Sequence, residues 1–364
     1  MIFFVHKNFN NGGQLMKVVQ LGCGKMSVYT MRYVLERGGE LVGAYDVFDG
    51  IIGKDIGEII GCNNLGVKVE NIKDLDASLK RVKPDIAVIT TKSLIASIKP
   101  ELEILAKNHV NAVSICEEMF YGWDSNPSVA AELDKIAKEY GVTFTGSGYQ
   151  DVSWGSMPIA LAATSASFKK IHGISSYDLE DYGLETASQH GAGLTMSEFN
   201  EKIIKANTVT DEEYKELASK GKFLPGYMWP VNGWIASSLG LHVTKRYQRG
   251  EATTHGTDLF SKTLGRVIPA GDATGLKTVT TFETEEGIDI ITECIGAVFA
   301  EDEFDVNEWL IEGEPNMRFV MERPATVEMT CACAINRLPD IISAEPGYIT
   351  SEKMADLKFR KSFK

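Results

Sequence analysis

No stretch of this chain has the roughly twenty consecutive apolar residues that a membrane helix needs. Basic runs are missing as well, and the formal net charge is −13. That balance argues against a nucleic-acid partner and against an anionic membrane surface, and its plain meaning is solubility. The six cysteines, Cys23, Cys62, Cys116, Cys294, Cys331 and Cys333, are scattered too widely for a disulfide framework, so the chain reads as cytoplasmic. Cys331 and Cys333 fall in Val327–Ala334, which alternates like a strand and would turn both thiols to one face. No second Cys or His pair at zinc spacing joins them, so no metal site is expected. Also absent are a Tyr-x-x-x-Lys pair, a GxSxG elbow, an HExxH helix and a Walker A loop, which removes the chemistries they carry. Internal repeats and low-complexity tracts are lacking too.

What is present begins at Lys17–Ser27, KVVQLGCGKMS. A short apolar strand (Val18, Val19, Leu21) runs into Gly22-Cys23-Gly24, and Val28, Met31, Tyr33, Val34 and Leu35 follow at helical spacing. Strand, glycine turn and helix let backbone approach a pyrophosphate and aim a helix N-terminus at it. Ser27 replaces the third fingerprint glycine and is small enough for close packing. The next strand, Glu40–Tyr45, ends at Asp46, placed to accept hydrogen bonds from a ribose 2′-OH. The expected cofactor-binding residues are Gly22, Gly24, Lys25, Met26 and Asp46, together with Thr90 and Thr91 further along. Asp46 would repel a 2′-phosphate and no arginine follows it closely, so NAD is favoured over NADP.

Downstream, the pattern predicts helices over 53–60, 75–82, 98–107 and 130–140. They alternate with strands over 67–70, 84–91, 112–116 and 142–145. This is an α/β pattern, a Rossmann doubly wound parallel sheet, with ligands beyond the carboxyl ends of its strands. Thr90, Thr91, Glu117, Glu118 and the segment 146–151 fall at such ends. From about Trp154 the character changes. Helices are predicted at 158–164, 211–221 and 229–239, and strands at 171–180, 276–283, 288–294 and 327–334. Strands clustered without intervening helices suggest a second, α+β domain on a mixed or antiparallel sheet. Such a sheet suits a homodimer interface. We expect a dinucleotide-binding domain over 16–155, a substrate-binding and dimerisation domain over 156–336, and a return to the first domain over 337–364.

Residues 1–15, MIFFVHKNFNNGGQL, have too short an apolar core for a signal peptide and no cleavage site. Gly12-Gly13 can be encoded as GGAGG, which resembles a ribosome-binding sequence just ahead of Met16. We therefore expect a non-native or disordered extension and a start at Met16. N-terminal mass analysis of protein made from its native gene checks this, and a product starting at Met1 contradicts it.

Glu117-Glu118, ending a core strand, are the most informative polar pair. Adjacent strand residues point to opposite faces, so one of them should face the cofactor. A carboxylate there can hold a substrate ammonium or iminium and move its proton. The plain alternative is a solvated strand end or a helix cap. Tyr121, Trp123, Tyr149 and Trp154 can wall a small apolar substrate or simply pack. In the second half Glu180-Asp181-Tyr182, the His190-Gly-Ala-Gly193 loop and His255 are the polar candidates. Expected substrate contacts are Tyr149, Trp154, Tyr182, His190 and His255.

Several motifs together resemble the 2,4-diaminopentanoate dehydrogenases and related native amine dehydrogenases, distant relatives of dihydrodipicolinate reductase and meso-diaminopimelate dehydrogenase. The matching pieces are GCGKM, GKDIGEIIG, SICEE, GSGYQDVSWG, QHGAGLT and AINRLPDIISAEPGYIT. The Lys-x-x-Ser-Gly-Thr signature of dihydrodipicolinate reductase is missing. The resemblance implies an oxidoreductase using NAD or NADP to deaminate an amine to its carbonyl compound, reversibly, with ammonia as co-substrate of the reverse reaction. Where sugar oxidoreductases of this fold carry Glu-Lys-Pro, this chain has Glu117-Glu118-Met119. That motif's lysine matches the second position, which favours Glu118 as the inward carboxylate. A diamino acid would need a second anchor, for which Glu180 and Asp181 are candidates. Two alternatives stand beside this reading: a non-catalytic NAD-binding sensor, and an imine reductase of the dihydrodipicolinate reductase type.

Overall fold

The computed structural model describes residues 15–363. All but one residue of the expected N-terminal extension lie outside that range.

Apolar, β-branched runs bounded by glycines form seven strands of one sheet. They are β1 (Lys17–Leu21), β2 (Glu40–Asp46), β3 (Val69–Asn71), β4 (Ile86–Ile89), β5 (Asn111–Ser114), β6 (Thr143–Gly146) and, from the far end of the chain, β15 (Gly347–Tyr348). The order is β15-β6-β5-β4-β1-β2-β3, with every pairing parallel. All four residues of β4 are fully buried, as a strand covered by helices on both faces must be. Strand order reverses between β4 and β1, and nucleotides bind beyond the carboxyl ends at such a reversal. The expected Rossmann sheet is therefore present.

The second sheet has six strands in the order β14-β13-β7-β12-β11-β8. These are β7 (Ser167–Asp178), β8 (Val243–Thr254), β11 (Ala273–Thr284), β12 (Asp289–Ala297), β13 (Val306–Glu314) and β14 (Met317–Glu322). A small hairpin of β9 (Leu259–Ser261) and β10 (Arg266–Ile268) stands apart. β7 and β12 are parallel and the other neighbours antiparallel, so the sheet is mixed. The helix Trp229–Leu239 lies on one face. Its fully buried Asn232 donates to the carbonyls of Thr280 and Ile290 and accepts from Thr292, so a polar side chain locks helix to sheet with its amide satisfied.

One expected strand is a helix. Val327–Ala334 lies within the helix Thr326–Asn336. Its alternation of small and larger residues also supports helical spacing, because Cys331, Ala334 and Ile335 share a buried stripe that Leu338 and Ile341 continue into the Rossmann core. Small side chains let this helix pack closely on the helix Lys25–Glu36, with the Cys331 thiol 3.4 Å from the Met26 carbonyl oxygen. Cys331 is therefore buried and Cys333 half-buried; they share no face. The tail then returns to the first sheet as β15. Arg337, fully buried, forks on to Asp151 at 2.8 and 3.1 Å and donates to the Ala355 carbonyl. Asp151 also accepts from Ser147, which pins the π-helical turn Gln150–Ser156 to both the first sheet and the tail.

Among the described residues no helix is long and apolar enough to cross a membrane.

Candidate active site

The glycine turn after β1 is built to take an anion. Gly22 has φ +85°, and a Cβ there would sit 2.8 Å from Thr91 Cγ2 and 3.0 Å from the Thr90 carbonyl oxygen, so both the conformation and the space require glycine. A Cβ on Gly24 would meet no protein atom within 4 Å. Gly24 leads into the helix Lys25–Glu36, which has no side-chain cap and no acidic residue in its first turn. Uncapped N–H groups at the positive end of a twelve-residue helix, beside an open glycine, fit a pyrophosphate. Lys25 is exposed and Met26 half-buried at that end.

Beneath the turn, Gln20 donates to the Gly22 carbonyl and to Thr90 Oγ1 and accepts from Thr30. Thr90 and Thr91 thus form the floor of the turn. Asp46 closes its side: Oδ2 accepts from Cys23 N at 2.6 Å and Oδ1 from Val47 N and Phe48 N. Oδ2, with a single donor, keeps a lone pair for a ribose hydroxyl.

The two glutamates diverge, in the sense opposite to the one the sugar-oxidoreductase motif favoured. β5 stops at Ser114, and Glu117 and Glu118 lie in the helical turn beyond it. Gly146 on β6 makes that turn possible, since a Cβ there would lie 2.4 Å from the Met119 carbonyl. Glu118 is 2% exposed and points into the Rossmann core. Its Oε2 accepts from Ile95 N at 2.8 Å and its Oε1 from Ser125 Oγ at 2.6 Å. It caps the helix Ile95–Lys107, whose own N-cap residue, Leu94, offers no side-chain acceptor. Burial pushes the Glu118 carboxyl up and these bonds pull it partly back. An inward-facing Glu118 is therefore corrected to a structural cap.

Glu117 is half-buried and faces the second sheet. Burial raises its carboxyl above the usual range, and a hydrogen bond from Ser93 offsets part of that rise. Its charge bears on Tyr177, Tyr227 and Cys294 of the second domain. Burial together with Glu117 pushes the Cys294 thiol up to about 12.

Tyr177 and Tyr227, which feel this carboxylate, belong to an aromatic cluster. Tyr149 meets Trp154 edge-on at 5.7 Å, and Tyr177 meets Tyr182 at 5.3 Å and His190 at 5.8 Å. Tyr227 lies 6.5 Å from Tyr177 and 6.4 Å from His190. Tyr149 N donates to Thr330 Oγ1, and Tyr182 pairs with Thr326 at 3.3 Å. Four of the five expected substrate contacts, Tyr149, Trp154, Tyr182 and His190, thus gather here. Sequence reasoning missed Tyr177, Tyr227, Cys294 and Ser93. Tyr177 and Cys294 sit on strands whose alternation does not show which face meets the other domain, and Tyr227 lies in the turn ahead of the helix Trp229–Leu239.

His255 is not brought to this cluster. Gly296 of β12 is in register with Leu276, and Leu276 with Ala252. His255 lies three residues beyond Ala252 and two strands away, its Nδ1 turned on to Thr257 of its own loop. Glu180 is not a free anchor either, since Ser261 and Thr263 engage both its oxygens. Asp181 is exposed. Among the described residues no group of three or more His, Cys, Asp or Glu side chains could hold a metal ion.

The parallel sheet with its glycine turn, followed by a separate mixed sheet, defines a Rossmann-type oxidoreductase. Residues 154–363 match the 2,4-diaminopentanoate dehydrogenase C-terminal domain. The chain is 24% identical over 279 residues to the 2,4-diaminopentanoate dehydrogenase of Acetoanaerobium sticklandii, covering 73% of this chain and 72% of that protein. The structure of an amine dehydrogenase from Mycobacterium smegmatis is 32% identical and superposes with a TM-score of 0.82, over 95% of this chain and 98% of that one. A probable dehydrogenase from Thermotoga maritima shares the fold alone, at 11% identity and a TM-score of 0.56, over 93% of this chain and 92% of that one. This chain belongs to the 2,4-diaminopentanoate dehydrogenase family.

Proposed function

We propose that this protein deaminates a small amine oxidatively and reversibly to its carbonyl compound and ammonia, as an NAD(P)-dependent dehydrogenase acting on CH–NH2 groups. The observation that carries the reading is Glu117, a carboxylate raised by burial at the sheet rim, with Tyr177 and Tyr227 within reach of its charge. The alternatives of a sensor and an imine reductase are not favoured beside the family to which the chain belongs.

Gly22, Gly24, Lys25, Met26 and Asp46 would hold the dinucleotide, with Thr90 and Thr91 supporting the turn from below. The nicotinamide, when bound, accepts the hydride in deamination and returns it in amination. Asp46 is an anion where NADP carries a phosphate, so NAD is the favoured cofactor.

Glu117 takes the proton of the substrate ammonium and passes it to solvent, returning to a carboxylate and freeing the nitrogen lone pair that drives hydride loss from the adjacent carbon. It then balances the iminium cation in a partly desolvated cleft, where one fixed charge is worth more than in water. As water adds to the C=N bond, Glu117 accepts the water proton and delivers it to nitrogen; it then takes the hydroxyl proton as the C=O bond forms, the C–N bond breaks and ammonia leaves. Tyr149, Trp154 and Tyr182 supply an apolar wall for the carbon substituents.

Asp305 bears on Tyr149 and Tyr182, and Glu117 on Tyr227 and Tyr177, so the charges that reach these rings are carboxylates. A carboxylate-bearing substrate would be repelled there, which supports a simple amine over a diamino acid. Free thiols at all six cysteines suit a reducing cytoplasm.

A homodimer is proposed through the sheet face turned away from the helix Trp229–Leu239. Half-exposed Ile174, Ile291, Ile295 and Leu310 alternate there with the ion pairs His172–Glu293, Lys277–Glu251 and Arg318–Glu308. Apolar stripes between fixed charges suit a second copy of the same face.

The test is NAD and NADP reduction at alkaline pH with 2,4-diaminopentanoate, short alkylamines, meso-diaminopimelate and simple alcohols. Turnover with an alkylamine, faster with NAD, is the expected result. Turnover with alcohols alone, or tight NADH binding without turnover, overturns the reading.

A further inference from the structure

The deaminase reading leaves open how the pocket tells an N–H donor from a carbonyl or alcohol oxygen of the same size. The pair Tyr177–His190 answers that question through the direction of its hydrogen bonds. His190 Nδ1 lies 2.8 Å from the Thr186 carbonyl oxygen, one helical turn back. A carbonyl can only accept, so Nδ1 carries the ring proton. His190 Nε2 lies 2.6 Å from Tyr177 Oη. With the proton on Nδ1, Nε2 is the acceptor and the phenol must donate. Burial favours this neutral form of the ring by lowering the imidazole's affinity for a second proton.

The surrounding backbone is shaped for this couple. Gly296, in register with Tyr177 on the neighbouring strand, has no side chain; a Cβ there would sit 2.7 Å from His190 Cδ2 and 2.8 Å from Tyr177 Oη. Any other residue at 296 would separate the pair or push it into the cleft. Gly191, with φ +69°, turns the chain sharply after His190, and a Cβ there would strike Ile203 and Phe199. The QHGAG motif therefore fixes the imidazole.

We infer that His190 is a positioning residue that commits the Tyr177 hydroxyl hydrogen to itself, so that Tyr177 offers the cleft only oxygen lone pairs. With the carboxylate of Glu117 near the same ring cluster, the pocket then presents two acceptors toward the reacting nitrogen. Ammonia, an ammonium or an iminium brings N–H donors to satisfy both, whereas a ketone oxygen is met by lone pairs. The inference deepens the amine reading and rests on it: the couple selects the nitrogen partner, and the apolar wall selects the carbon substituents.

The experiment measures reductive amination by the full-length enzyme with NADH, varying ammonia and carbonyl substrate separately, for wild type, Tyr177→Phe, His190→Leu, His190→Gln and the Tyr177→Phe/His190→Leu double variant. Loss of one hydrogen bond to a cationic or polarised N–H raises the ammonia KM by about tenfold in Tyr177→Phe. The carbonyl KM and the NADH dissociation constant stay within about twofold of wild type. His190→Leu shows the same split, and His190→Gln, whose amide oxygen can accept from Tyr177, restores most of it. In the double variant the histidine change adds nothing, because the residue acts only through Tyr177. Equal rises in the ammonia and carbonyl KM of Tyr177→Phe overturn the inference even if no His190 variant folds, and so does full additivity in the double variant. An inactive wild type would instead overturn the underlying amine reading.

Discussion

At Glu118 both carboxylate oxygens are engaged by protein donors, whereas at Glu117 one serine hydroxyl meets a buried charge that faces the other domain. Replacing Glu118 with Gln removes a charged acceptor from a backbone N–H and a hydroxyl. We predict a loss of about 1–3 kcal/mol, seen as a lower melting temperature. Glu117→Gln should do the reverse at alkaline pH. Burial raises the carboxyl of Glu117 above its unfolded value, so its contribution to stability is present below the unfolded pKa and is lost as pH rises through the folded one. Glutamine never ionises and escapes that loss, so this variant should melt above wild type at alkaline pH and match it in acid. Melting curves across pH check both outcomes, and a Glu117→Gln protein that melts below wild type at alkaline pH contradicts the assignment. The pair was legible in the sequence as a pair, and a helix cap was one of its two readings. Which member caps could not be read, because β5 ends three residues before Glu117 and strand alternation does not govern a helical turn.

Among the elements, the turn after β1 was the most legible, since its chemistry is local. Glycine, glycine and an acid at the end of the next strand are set by backbone geometry and need no distant partner. The turn also separates fold from binding. Gly22→Ala must strain φ +85° and displace Thr91, so both thermal stability and nucleotide affinity should fall. Gly24→Ala meets no protein atom within 4 Å, so it should melt within a degree or two of wild type yet bind NADH about tenfold or more weakly, because only a ligand occupies that space. Calorimetry with NADH titration checks the pair; undiminished affinity in Gly24→Ala would remove the pyrophosphate from this turn. The helix Thr326–Asn336 was the least legible element. Val-Glu-Met-Thr-Cys-Ala-Cys-Ala supports both periods, and what decides between them is its packing on a helix some three hundred residues earlier, against which small cysteines and alanines fit. The hairpin β13–β14 went unassigned for a related reason: its outward positions carry Glu308, Glu312 and Arg318, whose cross-strand pairing appears only once the register is known.

Taken whole, the molecule is a seven-stranded parallel sheet and a six-stranded mixed sheet joined by the Gln150–Ser156 turn, with the C-terminal tail returning to the first sheet. The Arg337–Asp151 pair fastens that return. Removing one partner of a buried, fully bonded ion pair costs about 3–5 kcal/mol, so Arg337→Met should unfold well below wild type while the isolated nucleotide turn is chemically unchanged. The outer face of the six-stranded sheet makes a separate prediction, that the protein sediments at about twice its 40.0 kDa chain mass. Paired charge reversals at Glu293 and Lys277 should shift it toward monomer, and a wild type that sediments as a monomer contradicts the proposed interface. The broad architecture was readable in the alternation of strands and helices. The meeting of Glu117 with Tyr177 and Tyr227 was not, because it depends on how two sheets far apart in sequence face each other.

The most direct test of the central claim is single-turnover NADH formation from an alkylamine at alkaline pH, with saturating NAD, for wild type, Glu117→Gln and Glu118→Gln. The account predicts a hydride-transfer rate lowered about 10²–10⁴-fold in Glu117→Gln and within a few-fold of wild type in folded Glu118→Gln, with NADH affinity unchanged in both. A fast Glu117→Gln enzyme, or one disabled only by Glu118→Gln, would contradict it.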